Sequence, residues 1–456
     1  MLPDDVLLEI FYIYKKEPTL FGWCWCWKML AHVCRRWRRI VLASPQILDL
    51  KIVCNDRTPT RTSLDIWPPF PIIITWFPEH WGSRDEKGPD NIIAALERHD
   101  RISQISFGSL SDDLLERFTS LMQEPLPALT HLRFSTSAYT LTPVVLPRAF
   151  LGGSAPHLQS LTLSGFAFPT LPTLLLSASD LVHLNLNLSE TPNSMFPSPE
   201  TMVTCLGVLP NLKQLFIGVK HLSALPGLTG LHPSTRTVLP ALTVFDFKGV
   251  NKYLDDFVAR VDTPLLDTLH IRFLMGADSD IDIPQLSRFI VRAERLWPFD
   301  RARLELEICS TSIFLGPRIL LNLRCDFDRE SLLTSQLCNR LSPLLSHVEQ
   351  LIIRGELGRR GGGLPISELF HPFIAVQNLY VCNEMVTHVA AALRNLTPDR
   401  AVEVLPALHS LSFEGPYPSR NLQEVIRPFV ALRQISDRPV ALEPWNTRSL
   451  MDLGGW

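Results

Sequence analysis

The stretch Pro127-Ala128-Leu129-Thr130-His131-Leu132-Arg133-Phe134 is one of seven that share the form P-x-[LI]-x-x-[LF]-x-[LIF]. The others begin at Pro45, Pro156, Pro210, Pro240, Pro264 and Pro406. Four more keep the apolar frame without the proline: Ile102-Ile105-Phe107, Leu181-Leu184-Leu186, Val348-Leu351-Ile353 and Val376-Leu379-Val381. From Ile102 to Leu266 the first apolar positions are 27, 29, 23, 31, 30 and 24 residues apart, a period that marks stacked repeats. The last two apolar residues of each copy are two apart, so in a strand they share a face, and the proline ends whatever preceded it. The rest of each repeat leaves room for a helix or 3-10 turn that returns the chain to the next strand.

This arrangement is similar to the leucine-rich-repeat family, in an irregular form. That family carries Asn or Cys three residues beyond the last strand leucine. Here those places hold Ser137, Phe166, Ser189, Lys220, Val250 and Leu274, so turns must be closed by other means. The expected fold class is α/β, an irregular solenoid with parallel strands on its concave face and helices or 3-10 turns on its convex face, fused to a small N-terminal helical domain.

Outside the main period, Ile72–Phe77 reads as an early strand, Asp90–Arg98 as a helix, and Pro45–Ile52 as the first rung. Residues 275–347 break the period. Leu304-Leu306-Ile308 and Ile319-Leu321-Leu323 read as two strands there, either an inserted hairpin or two abnormal rungs. Gly355–Gly363 reads as a loop, and beyond Pro416 a helix near Leu422–Val430 precedes a tail that caps the array. The domains expected are 1–44 (helical), 45–415 (solenoid) and 416–456 (cap).

The helical domain begins Leu2-Pro3-Asp4-Asp5-Val6-Leu7. Pro3 suits a first helical turn, and Asp4, Asp5 and Glu9 place negative charge near the positive end of the helix dipole. Val6, Leu7, Ile10, Phe11 and Tyr14 recur at helical spacing. Further on, Leu30, Val33, Trp37 and Ile40 give one side of a second helix, with Arg35, Arg36, Arg38 and Arg39 mostly turned away. Leu-Pro with an acidic, apolar helix, followed by Val33-Cys34-Arg35-Arg36-Trp37-Arg38, resembles an F-box, although Tyr12–Trp27 is longer and more aromatic than that family's usual linker. The whole order resembles a large group of fungal F-box proteins. The resemblance implies helices that pack on the adaptor subunit of an SCF-type ubiquitin ligase, and through it a cullin, using Leu2, Pro3, Val6, Leu7, Ile10, Val33 and Trp37.

Composition bounds the rest. The 456 residues exceed one compact core, 46% are hydrophobic, and the net charge of −3 gives no global field toward nucleic acid or an anionic membrane. Nine scattered cysteines without a secretory leader imply reduced thiols in the cytoplasm or nucleus, and no apolar run is long enough for a membrane span. Cys24, Cys26, His32 and Cys34 fit tetrahedral zinc poorly, so neither metal nor cofactor is expected. No G-x-S-x-G or H-E-x-x-H motif occurs and no catalytic set assembles, so the expectation is not an enzyme. Strand residues beside the buried positions must face outward. Arg133, Asn185, Asp246, Lys248, His270, Arg272, Arg354 and Tyr380 are the candidate target-binding residues among them, on a face of about ten strands spanning roughly 45 to 50 Å. The function expected is substrate recognition within a ubiquitin ligase complex. A scaffold without a role in ubiquitination, or an enzyme with a pocket in residues 275–347, are the alternatives.

Overall fold

A computed structural model describes residues 2–16, 26–57, 60–76, 88–136, 144–187, 197–219, 235–275, 280–307, 309–325, 330–356, 366–382, 384–414 and 420–445. By internal contact the chain divides into two units, Met1–Pro197 and Ser198–Trp456.

The proline of the repeat phrase occupies the second position of a tight turn. The Leu129 N–H donates to the Leu126 carbonyl at 3.1 Å, and the same bond runs from Leu158 to Ala155, Leu212 to Leu209, Leu242 to Leu239, Leu266 to Thr263 and Leu408 to Leu405. Proline's fixed φ suits that position. Leu181, whose copy has Ser179 in place of proline, closes the same turn on Ala178.

In the first unit the strands are β1 (Ile52–Cys54), β2 (Ile72–Trp76), β3 (Ile102–Leu110), β4 (His131–Thr136), β5 (Val144–Val145), β6 (Ser160–Ser164), β7 (Phe166–Ala167) and β8 (His183–Asn187). β1, β2, β3, β4, β6 and β8 form one parallel sheet in chain order, while β5 and β7 pair separately. Register aligns the repeat positions across strands: Leu132, Leu161 and Leu184 in one row, Phe134, Leu163 and Leu186 in the next. All six are at most 1% exposed. Each contributes about 1.5–3 kcal/mol by leaving water. Phe134 centres an aromatic cluster with Phe107 at 5.2 Å, Phe166 at 5.3 Å and Phe150 at 6.0 Å. Phe166, at a place where an Asn ladder would run, thus closes its turn by apolar packing.

The second unit contains β9 (Gln214–Val219), β10 (Thr237–Val238), β11 (Val244–Gly249), β12 (Val261–Asp262), β13 (Thr268–Leu274), β14 (Arg301–Glu307), β15 (Ser310–Leu315), β16 (Ile319–Arg324), β17 (Gln350–Glu356), β18 (Asn378–Val381), β19 (Ser410–Glu414) and β20 (Ala441–Trp445). Its sheet runs β9-β11-β13-β16-β15-β14-β17-β18-β19-β20. Both neighbours of the β16-β15-β14 segment pair with it in parallel, but inside it the strands are antiparallel. An odd number of antiparallel strands restores the starting direction, so this three-stranded meander fits into a parallel sheet without reversing it. Helices such as Asn251–Ala259, Pro284–Arg292 and Glu330–Arg340 occupy the returns.

Four expectations need correction. The first rung does not follow the Pro45 phrase: the Leu48 N–H bonds to Ser44 and Asp49 adopts φ 44°, so the turn runs on and the strand starts only at Ile52. Through β2 and β3, Cys54 falls level with Leu132, where the phrase would have placed Leu50. Residues 275–347 hold neither a simple hairpin nor two parallel rungs, because Ser310–Leu315 adds a third strand. Gly355 and Glu356 belong to β17, while 357–363 lie outside the described residues. The tail beyond 416 contains a further rung: the helix Arg420–Ile435 leads into β20, which pairs in parallel with β19. Ile72–Trp76 and Gly88–Leu96 match the strand and helix read from sequence to within a few residues.

Candidate interaction surfaces

The N-terminal chain forms three helices: α1 (Asp4–Lys16), α2 (Cys26–Val33) and α3 (Arg35–Ala43). The sequence reading ran α2 and α3 together. They are separate because Cys34 is extended (φ −158°, ψ 168°) and caps α3, its Sγ accepting from the Trp37 N–H at 3.5 Å. That break turns Leu30 inward, 8% exposed, and Val33 outward, 60% exposed. Arg36 donates to Asp4 Oδ1 (2.6 Å) and to the Leu2 carbonyl, Arg39 reaches Asp4 Oδ2 at 3.4 Å, and Arg38 Nε donates to the Ala31 carbonyl. The Arg36 guanidinium beside Asp4 holds that carboxyl below the usual range. These arginines tie the helices together as well as facing solvent.

Along α1, Leu7 and Phe11 point inward, 6% and 0% exposed, and Phe11 packs on half-buried Trp37 at 4.8 Å. Leu7 therefore belongs to the core and is not a surface contact, because its helical phase matches Phe11, not Ile10. On the opposite side Leu2, Val6, Ile10 and Ile13 are 51, 42, 44 and 55% exposed and Pro3 is exposed, an apolar stripe at spacings of four, four and three. Arg36 brings the start of α1 to α3, and Val33 directly precedes Cys34 and α3. The helices rest on the first rungs through Trp27, whose Nε1 donates to the Lys51 carbonyl (3.0 Å) and whose ring meets Trp67 (5.0 Å) and Phe70 (5.7 Å).

On the sheet face of the first unit, register lines up Thr75, Ser106, Arg133, Thr162 and Asn185. Arg133 is exposed and Asn185 half-buried in this mostly uncharged polar row. Nearby His131 is pushed down by burial, then by Lys51 and His183.

In the second unit, one outward row runs Phe216, Asp246, His270, Leu320, Phe314, Arg303, Ile352, Tyr380, and the next runs Lys248, Arg272, Asn322, Ser312, Glu305, Arg354. The structure brings together Asp246, His270 and Arg272: Asp246 Oδ2 lies 3.1 Å from the Arg272 guanidinium and 3.9 Å from His270 Nδ1. Lys248 stands directly across from Arg272. Tyr380 packs on buried Ile352 and Cys382, whose thiol is pushed up to about 12 by burial. Arg354 lies apart, across from Glu305.

The central residues of this face were not singled out from the sequence. Arg303 lies 4.0 Å over the Phe314 ring and 3.1 Å from Glu305 Oε1, and burial pulls its guanidinium below the ordinary value. Asn322 Nδ2 donates to Ser312 Oγ (2.9 Å) and Ser310 Oγ (3.1 Å). The available signal was the run Thr311-Ser312-Ile313-Phe314-Leu315, rich in β-branched and aromatic residues, ahead of Gly316-Pro317, which marks a strand and turn. Cys24 lies outside the described residues; among the described ones no group of three His, Cys, Asp or Glu side chains could hold a metal ion. No helix among them is long and apolar enough to cross a membrane.

No protein-family model matches the chain, and no curated protein matches it. Among solved structures it is similar to the leucine-rich repeat-containing protein LegL7 from Legionella pneumophila, at 15% identity over 68% of this chain and 93% of that one, with a TM-score of 0.27. At that overlap the likeness adds nothing to the strand pairings above, which themselves define a leucine-rich-repeat type of α/β fold built on parallel sheets.

Proposed function

We propose that this repeat protein is a substrate-recognition subunit of an SCF-type ubiquitin ligase, with α1–α3 as an F-box that docks on the adaptor, and through it a cullin, while the repeats hold a target protein. The observation that carries the reading is the apolar stripe Leu2, Val6, Ile10 and Ile13, with Val33, left in water beside a helix packing that already has its own core in Leu7 and Phe11, with half-buried Trp37 against it. An exposed apolar stripe on an otherwise satisfied helix suits a protein partner. The chain then has no chemistry of its own: it works in the cytoplasm or nucleus by holding the target near a ubiquitin-charged enzyme, so that proximity supplies the rate.

Deleting residues 1–44 is a poor test, since it strips Trp27 from the first rungs. The better experiment compares Val6→Asp/Ile10→Asp with the intact chain by adaptor co-purification. Loss of adaptor at unchanged thermal stability supports the reading. Retained adaptor binding, or no adaptor captured by the intact chain, leaves an interaction scaffold outside ubiquitination.

A further inference from the structure

We propose that the meander in the second unit is the target-reading site, and that it takes an extended acidic segment with one large apolar side chain between two carboxylates about seven residues apart. The inference rests on the reading above for its biological role, but the binding itself stands on the geometry of this face.

The centre of the site is neutral. Leu320 on β16 and Phe314 on β15 are direct cross-strand partners, both half-buried on the outward face. Beside them the Asn322 amide gathers Ser310 and Ser312 into an uncharged hydrogen-bonding cluster. Phe314 is braced from the other side by the Arg303 guanidinium. Such a surface receives one aromatic or branched aliphatic side chain and the backbone that flanks it.

The charges on either side are sorted. In the two outward rows from β11 to β17 the carboxylates are Asp246, engaged by Arg272, and Glu305, engaged by Arg303. Lys248 on β11 and Arg354 on β17 make no ion pair among the described residues, and both are half-buried. Each side of the centre therefore carries one cation outside any ion pair among the described residues. Glu414, on β19, stands two strands beyond Arg354, and both act on the Cys382 thiol between them.

The spacing sets the length of the partner. From β11 to β17 the order is β11-β13-β16-β15-β14-β17, five steps. At about 4.8 Å per step the two cations are about 24 Å apart, which an extended segment covers in about seven residues at about 3.4 Å each. Leu320 lies two steps from Lys248 and Phe314 two steps from Arg354, so the apolar side chain belongs near the middle. The match is one of charge and length together, and it exists only because the meander sets three strands between β13 and β17 and so spaces Lys248 from Arg354.

The test uses the full-length chain alone, so failure of adaptor docking cannot affect it. A labelled octapeptide with glutamate at positions 1 and 8 and phenylalanine at position 4, the rest Ser, Thr and Gly, is titrated by fluorescence anisotropy. Saturable binding is expected, weakened about tenfold by Lys248→Glu and by Arg354→Glu, and by replacing the peptide's phenylalanine with serine. A peptide with its glutamates three residues apart should also bind at least tenfold less tightly. Circular dichroism checks that both variants are folded; because the peptide series uses the unaltered protein, it decides the matter even if a variant does not fold. Absent binding, or equal binding of the two glutamate spacings, overturns the proposal, as does affinity unchanged in both folded variants.

Discussion

Arg433 offers a test of how the C-terminal rung is held. It lies on the helix Arg420–Ile435, is 0% exposed, and has no carboxylate partner among the described residues. Its guanidinium donates instead to the carbonyls of Leu408 (3.0 Å), Pro406 (3.4 Å) and Ala401 (3.5 Å), joining the helix to the turn that opens β19. Two terms oppose each other in Arg433→Met. Loss of one good and two long charge-assisted bonds costs about 2–4 kcal/mol, because a bond to a charged donor contributes about 1.5–3 kcal/mol at good geometry and long ones contribute less. Removing a buried cation relieves a desolvation penalty, which burial registers here as a lowered guanidinium pKa. The relief is limited because the fold already supplies the three acceptors, and those carbonyls are left behind unpaired. The net expectation is a loss of about 1–3 kcal/mol confined to the helix and β20, since repeats couple mainly to their neighbours. Hydrogen exchange by mass spectrometry should show amides of 420–445 exchanging about 5- to 150-fold faster, with β9, β11 and β13 unchanged. Exchange in 420–445 as slow as before would refute the assignment of Arg433 as a pin, and acceleration across the whole unit would refute its being local.

Other outcomes follow from the same geometry. Leu7→Ala should lower thermal stability by about 2–5 kcal/mol through a core cavity, whereas Val6→Asp on the exposed stripe should change it by less than about 0.5 kcal/mol in the same melts. Gly355→Ala should lower the melting temperature and destabilise β17, because a Cβ there would fall on the Leu306 carbonyl oxygen. Asp255 accepts from the Gln285 and Leu286 N–H groups, yet burial raises its pKa from 3.8 to about 6. The folded state thus holds the proton more tightly than the unfolded one. That contribution is present in full below pH 3.8 and is lost as pH rises through about 6, so Asp255→Asn should flatten the fall in stability over that window. Finally, the Cys325 N–H bonds to the Cys309 carbonyl at 3.3 Å, one step beyond the Ser310–Arg324 pair. Diamide should therefore join these two thiols, detected by peptide mass mapping, if the meander has this register.

The unit of the fold is written in short stretches of the chain. Leu132 and Phe134 with their equivalents announce a buried strand, and proline one residue into a turn announces where each strand begins, because both effects act within eight residues. The apolar phase of α1 was legible too, though Leu7 was placed on the wrong side, since a stripe of Val6, Leu7, Ile10 and Phe11 does not say which half is covered. The rest depends on long-range pairing. At Pro45 the local phrase is intact, but the turn continues to Asp49 and the pairing with Ile72–Ile74 sets a register four residues later. The meander order β16-β15-β14 is a choice among pairings far apart in sequence, and so is the row that brings Arg303, Phe314 and Leu320 together. β20 is recognisable as a rung only through the neighbour it pairs with. Local steric and turn preferences are written in short stretches, whereas strand order and side-chain company depend on long-range burial that no single stretch encodes.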